Sequence, residues 1–359
     1  MRRLPLMPTI VRRHFPRITK METVMRTLEL ERPDIASLVE RERPDPGAPA
    51  SGQVRVRTRA ASLNFLDLMV ARGDYPGIDY PLVPLADAAG EITDIGPDVT
   101  GLAIGDRVAL HTKPLWIAGP GTAATAQPTR GVTLPGALQE QQLVDAHSVV
   151  RAPDHLTWEE IAALPIVATT ANNALRSIAA GPGDTVLLLG TGGVSITALR
   201  LAKARGARVI ITSSSDEKLV RAKAIGADEG INYRTNPDWH LKALELTGGR
   251  GIDLVIETGG AETIGQSIAA TRYGGTVFTI GFLSGATATL PLFPIVGNAV
   301  KVIGSNTGSV DDLAHAVRAI AAHRLPMEIA ETFALRDLAD AYGAMEKGPF
   351  GKIAVQLDW

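Results

Sequence analysis

The sequence predicts an α/β protein: a doubly wound parallel sheet of six strands, with a β-rich domain ahead of it in the chain. Three observations carry this. From Val186 to Lys218 the chain reads VLLLGTGGVSITALRLAKARGARVIITSSSDEK, an apolar strand, a glycine-rich turn, an amphipathic helix and a second apolar strand ending in serines. From Trp158 onward strand-like and helix-like segments alternate, the pattern of a parallel sheet covered on both faces. With 359 residues, 45% of them apolar, the chain exceeds what one hydrophobic core organises.

In chain order, the first stretch, MRRLPLMPTIVRRHFPRITK, is basic and has no acidic residue, loosely like a mitochondrial transit peptide. Pro5, Pro8 and Pro16 break any long amphipathic helix there. Residues 1–24 are therefore expected to be a disordered or mis-started extension, with folding from the strand-like MRTLEL near Met25. Short β-patterned runs follow, such as VRVRTRAASL from Val54 to Leu63 and GEITDIG from Gly90 to Gly96, separated by Gly, Pro and Asp turns. The irregular segment from His111 to Gly136 reads as a loop over a cleft, a lid or substrate wall. Residues 25–157 form this first domain and 158–305 the second, whose candidate strands are TVLLLG, ARVIIT, EGINY, IDLVIET, TVFTIG and VKVIGS. After Ser309 a helical stretch, LAHAVRAIAAHR, and a final strand, KIAVQL, are expected to return to the first domain, so that 306–359 completes it.

The glycine-rich turn sets the chemistry of the second domain, a Rossmann arrangement. Gly190, Thr191, Gly192, Gly193 and Val194 bring backbone amides toward a pyrophosphate, and Ser195 stands where a third glycine is usual. An NAD site would carry Asp or Glu at the end of the second strand. Here Thr212, Ser213, Ser214 and Ser215 precede Lys218, a set suited to a 2′-phosphate, which predicts NADP(H). The serines serve equally as a cap for the next helix, with Asp216 and Glu217 in its first turn. Ligands bind outside the C-terminal strand ends, which supply Thr258, Gly259, Gly281, Phe282 and Leu283 to the cofactor.

Other classes are excluded by what is missing. A net charge of −2 gives no sign of nucleic acid or a membrane surface, and no apolar run approaches the roughly 18 residues that span a bilayer. The absence of cysteine rules out disulfides, thiol catalysis and cysteine-held metal, and fits a cytoplasmic enzyme acting on a small molecule. No GxSxG or HxxxH pattern occurs; His111 and His147 read as satisfied or surface residues.

Five runs, NFLDLMVARGDYP (Asn64–Pro76), PLADAAGEI (Pro84–Ile92), GDRV (Gly105–Val108), GTGGVS and FGKIAV near the C-terminus, together resemble the medium-chain dehydrogenase/reductase superfamily, in the family's order and over nearly all the chain from Met25. The similarity is greatest to its zinc-free, quinone-oxidoreductase-like branch, near proteins labelled zinc-type alcohol dehydrogenases. The resemblance implies a GroES-like catalytic domain for the first domain. It also implies metal-ligand positions at Asn64, Ala86 and Ile166, with Asp87 where zinc enzymes carry His-Glu. Alanine and isoleucine cannot bind a metal, so none is expected.

In relatives the residues matching Asn64 and Asp67 border nicotinamide and substrate, and a tyrosine matching Tyr75 is a proton donor or substrate contact, solvent being the other source. Asn64 and Asp67 equally suit a helix cap, and Tyr75 a core position. Thr170 matches a position near the nicotinamide, or bonds its own helix backbone. Asn172 replaces an aromatic common in close relatives. Tyr233 resembles a contact to the adenosine phosphate, and Lys352 is read as structural.

Without a metal, hydride addition to an enone or a quinone is easier than reduction of an isolated carbonyl, because the charge spreads over an enolate or quinol oxygen that hydrogen-bond donors can hold. The expectation is a zinc-independent NADPH-dependent reductase of quinones or α,β-unsaturated carbonyls. A zinc-independent alcohol or carbonyl oxidoreductase and a non-catalytic NADPH-binding protein are the alternatives. The segment from Leu290 to Ser305, an edge by which relatives pair, implies a homodimer.

Overall fold

The computed structural model describes residues 24–359, so the expectation for the N-terminal extension lies outside the described residues up to Val24, where the first strand begins. β1 (Val24–Leu30) and β2 (Leu38–Pro44) form an antiparallel ribbon. β3 (Gln53–Leu63), β4 (Asp87–Ile95), β5 (Arg107–Leu110), β6 (Gln141–Asp145) and β7 (Val149–Arg151) follow. In β3 the alternation of QVRVRTRA buries Val54, Val56, Thr58 and Ala60 and leaves the arginines between them half-exposed, the period of a strand with one face on the core. From Ala60 to Leu63 burial becomes continuous, where the helix Trp158–Ala162 covers the strand end and Ser62 donates to the Ala162 carbonyl at 3.0 Å.

The second domain holds β8 (Thr185–Leu188), β9 (Arg208–Ser213), β10 (Glu229–Asn232), β11 (Ile252–Glu257), β12 (Thr271–Thr279) and β13 (Lys301–Gly304). They form one sheet in the order β10-β9-β8-β11-β12-β13, every pair parallel. β8 and β11 are buried at every residue, as strands covered on both faces must be. Between them the strand order reverses, which creates the crevice where ligands bind in such sheets.

β14 (Ile329–Ala334) and β15 (Lys352–Gln356) return to the first domain and complete its sheet in the order β14-β15-β3-β4-β5-β7, with β6 beside β3. The helix Val310–Ala322, expected with the first domain, lies against both: it packs on the helix Pro165–Ser177 and on β7. Its Leu313, Ala316, Val317 and Ile320 share a core with Val167 and Ala171 of the helix Pro165–Ser177. That stripe at helical spacing needs apolar neighbours, and the same core also takes in Ala109 and Ala152 of the first domain.

The irregular segment after β5 is folded down rather than open. The N–H groups of Val310 and Asp311 donate to the carbonyls of Trp116 and Ile117 at 2.8 and 2.9 Å, tying it to the start of the Val310–Ala322 helix. Lys113, buried, donates to the Ala126 carbonyl and to Thr129 Oγ1 from within it. Among the described residues no helix is long and apolar enough to cross a membrane.

Candidate active site

The glycine turn opens the crevice. Gly190 leaves β8 at φ +70°, in the left-handed region that favours glycine. Gly192 caps the helix Gly193–Ala204 without any side-chain bond, so the first N–H groups of the helix face the crevice at the positive end of its dipole. A Cβ at Gly192 would meet nothing within 4 Å. These features fit a dinucleotide pyrophosphate. Ser195 donates to the Leu189 carbonyl at 2.7 Å and Thr258 reaches the same oxygen at 3.0 Å, so the serine in the third glycine position ties helix to strand. Thr191 accepts from Gly351 N–H at 3.0 Å, joining the turn to the chain just before β15.

At the end of β9, Ser213 Oγ accepts from Ser215 N–H and Ser215 Oγ from Lys218 N–H, which caps the helix Asp216–Ala224. Capping thus engages Ser215, while Ser214 makes no side-chain hydrogen bond among the described residues. The Lys218 ammonium donates to the Gly348 carbonyl, and Tyr233, exposed, hydrogen-bonds through its N–H to the Ser213 carbonyl. These five residues lie together beside β9 and β10. Gly259 N–H donates to Glu257 Oε1, and a Cβ at Gly281 would stand 2.5 Å from the Thr258 carbonyl, so both glycines belong to a tight corner. Next to that corner, Phe282 sets its ring edge-on to Phe65, centroids 6.4 Å apart, and Leu283 is exposed. Thr170 is buried on the helix Pro165–Ser177; the backbone bond foreseen for it is made by its neighbour Thr169, to Pro165. Asn172 is engaged by Arg205 and His315.

Across the crevice, Asn64 caps the helix Phe65–Arg72 with Asp67 in a capping box, so the capping role is real. Both side chains also enter a buried network. Asn64 Nδ2 donates to Asp87 Oδ2 at 2.9 Å, and Asp67 accepts from Asn64 N–H at 2.7 Å and from Ala86 N–H at 2.9 Å. Lys352 Nζ donates to Asn64 Oδ1 at 2.6 Å and to Asp87 Oδ2 at 3.2 Å. Asp87 also accepts from Ser62 Oγ, Thr112 Oγ1 and Ile166 N–H. Burial, aided by the Asp87 charge, raises the Asp67 carboxyl to about 6; burial pulls the Lys352 ammonium below its usual range while Asp87 and Asp67 push it back.

Tyr75 makes no side-chain hydrogen bond to this network among the described residues and packs against the apolar cluster of Val70, Leu82 and Val132. His147 is exposed; His111 is buried, with Nδ1 accepting from Lys113 N–H at 3.0 Å and Nε2 without a partner. Asp87 and Lys352 are the site residues that the sequence reading did not assign. The only signal for them was their place inside two of the recognised motifs.

The three positions corresponding to metal ligands do converge, since Ala86 and Ile166 bind the two carboxylates through their N–H groups. Their side chains offer no donor atom, and both oxygens of Asp87 are already engaged by five groups. Among the described residues no group of three His, Cys, Asp or Glu is placed to hold a metal. At Ala86 and Ile166 a metal would find no side-chain ligand.

Comparison with known proteins agrees with the two-domain architecture. The family model of an alcohol dehydrogenase GroES-like domain matches residues 50–154, and that of a zinc-binding dehydrogenase matches 193–322, a span without Asn64, Ala86 and Ile166. A zinc-type alcohol dehydrogenase-like protein of Schizosaccharomyces pombe is 39% identical over 316 residues, 86% of this chain and 91% of the relative. A 2-haloacrylate reductase of a Burkholderia species is 29% identical over 320 residues, 83% of this chain and 89% of the relative. The crystal structure of an NAD-dependent alcohol dehydrogenase superposes with a TM-score of 0.83 at 33% identity, over 93% of this chain and 100% of that one.

Proposed function

From a chain that belongs to the medium-chain dehydrogenase/reductase superfamily, and is therefore an oxidoreductase using a nicotinamide cofactor, we propose a metal-independent, NADPH-dependent reductase of quinones or α,β-unsaturated carbonyls. The observation that carries the reading is the carboxylate of Asp87, saturated with protein donors at the place where relatives keep a metal. A site without a Lewis acid is suited to a substrate whose negative charge is delocalised.

Bound NADPH supplies hydride. Gly190, Thr191, Gly192, Gly193 and Val194 hold its pyrophosphate, and Thr258, Gly259, Gly281, Phe282 and Leu283 line its crevice with Thr170. Ser213, Ser214, Ser215, Lys218 and Tyr233 take the adenosine end, where hydroxyls and an ammonium favour the 2′-phosphate. Asn64 and Asp67 orient the substrate beside the nicotinamide, and Tyr75 or solvent returns the proton.

The test is oxidation of NADPH and NADH by the purified protein, with and without EDTA, against a quinone, an enone and an aldehyde. Chelator-resistant turnover of quinone or enone with NADPH is expected. Aldehyde-only turnover would replace the reading with a carbonyl oxidoreductase, the activity named for the alcohol dehydrogenase relatives; preference for NADH would remove the phosphate assignment. Leu292, Phe293 and Val296, exposed at 69%, 88% and 78% beside the edge strand β13, support a homodimer paired along that edge.

A further inference from the structure

Lys352 enters the crevice from the last strand of the chain. Its side chain is 4% exposed, and its Cγ and Cδ lie 2.9 and 2.6 Å from where a Cβ on Gly193 would stand. An ammonium has three N–H donors. Two are engaged, by Asn64 Oδ1 and Asp87 Oδ2, and no acceptor for the third occurs among the described residues. Leaving a donor of a buried charge unassigned is costly, and such groups call for an explanation in function. The charged groups around it are Asp87 and Asp67, whose carboxylates also bind the N–H groups of Ile166 and Ala86. The ammonium thus stands among the very positions that lack metal-binding side chains.

We infer that Lys352 supplies, through its free N–H, the positive charge that holds the oxyanion formed on the substrate. The inference rests on the reductase reading above. When hydride adds to the β-carbon of an enone, the C=C pair shifts to form the new C=C of an enolate and the carbonyl pair moves onto oxygen. Lys352 donates a hydrogen bond to that oxygen and keeps its proton. The α-carbon then takes a proton from Tyr75 or water, and the carbonyl re-forms. Asn64 and Asp87 hold the ammonium in position throughout.

The experiment uses the full chain. Lys352→Met alone leaves Asp87 unpaired, so it is accompanied by the double variant Asp87→Asn/Lys352→Met, which removes both charges with little change of volume. Three quantities are read: NADPH affinity by nucleotide fluorescence, kcat and KM for an enone, and the absorbance of 4-nitrophenol bound in the presence of NADP+, which distinguishes phenolate from phenol. In the double variant kcat falls on the order of 100-fold while NADPH affinity stays within about 3-fold. The wild type binds 4-nitrophenol as phenolate, the double variant does not, and Lys352→Arg recovers part of both signals. An unchanged kcat overturns the inference. So does a loss of NADPH affinity that accounts for the whole loss of kcat/KM, which would make Lys352 a ligand of the cofactor phosphates. If no enone, quinone or aldehyde is turned over yet phenolate binding still requires Lys352, the reductase reading fails and the oxyanion site stands. If turnover proceeds and phenolate binding is indifferent to Lys352, the reading stands and the inference falls.

Discussion

Lys352 Nζ lies 3.2 Å from Asp87 Oδ2, an ion pair between β15 and β4 whose side chains are 4% and 0% exposed. β3 runs between those two strands, pairing Ser62 with Ala354 on one side and with Asp87 on the other. The pair therefore forms only when the C-terminal strand has joined the sheet. Removing one member strands a buried charge, which typically costs about 3–5 kcal/mol, whereas removing both leaves little uncompensated. Asp87→Ala is expected to lower the unfolding free energy in urea by that amount, and Asp87→Asn/Lys352→Met by clearly less. Equal losses in the two variants would mean that the charges are not coupled.

Two glycines of one turn are expected to separate stability from binding. A methyl at Gly193 meets Lys352 Cδ at 2.6 Å and Val167 Cγ1 at 3.1 Å, so Gly193→Ala overpacks a contact between the domains at a cost of about 1–3 kcal/mol. A methyl at Gly192 meets no protein atom within 4 Å and projects into open space at the turn. Gly192→Ala is therefore expected to unfold like the wild type but to bind NADPH at least about tenfold more weakly, the clash falling on the ligand. Calorimetric melting and fluorescence titration of both variants decide it, and a destabilised Gly192→Ala with normal affinity would reverse the assignment.

What could be read from the sequence was what is local. The six strands of the second domain, the turn GTGGVS and the capping pair Asn64 and Asp67 each depend on residues a few positions apart, and the structure forms all of them. The ammonium of Lys352 and the carboxylate of Asp87 are 265 residues apart, and nothing in either motif says that one reaches the other. The helix Val310–Ala322 shows the same limit. Its apolar stripe was legible, but the stripe does not name its neighbours, which are the helix Pro165–Ser177 of one domain and β7 of the other.

The serines after β9 give a prediction about cofactor choice. Ser214 has no side-chain hydrogen bond within the described residues, and Lys218 is held nearby by the Gly348 carbonyl. A carboxylate at Ser214 repels a 2′-phosphate and accepts from a ribose hydroxyl instead. Ser214→Asp should shift the ratio of NADPH to NADH efficiency toward NADH by on the order of 100-fold, and Lys218→Ala in the same direction by less. Measuring kcat/KM with both cofactors tests this, and a ratio that does not move would place the adenosine phosphate elsewhere.

Two buried groups give the fold opposing responses to pH. Burial and the Asp87 charge raise Asp67 from 3.8 to about 6, so the folded state binds this proton more tightly than the unfolded chain. Its contribution to stability is full below pH 3.8 and is lost as pH rises through about 6, a change of about 3 kcal/mol. Burial lowers His111 from 6.5 to about 4, outweighing a backbone hydrogen bond with Lys113 that raises it, so here the unfolded chain binds the proton more tightly. That contribution is full above pH 6.5 and is lost as pH falls toward 4, again by about 3 kcal/mol. Between pH 4 and 6 the two slopes have opposite signs and offset each other. Relative to wild type, Asp67→Asn should make stability rise more steeply with pH across this window, and His111→Gln should make it fall. Urea unfolding at pH 4.5 and 6 reads both differences, and variants that tilt in the same direction would refute the opposition.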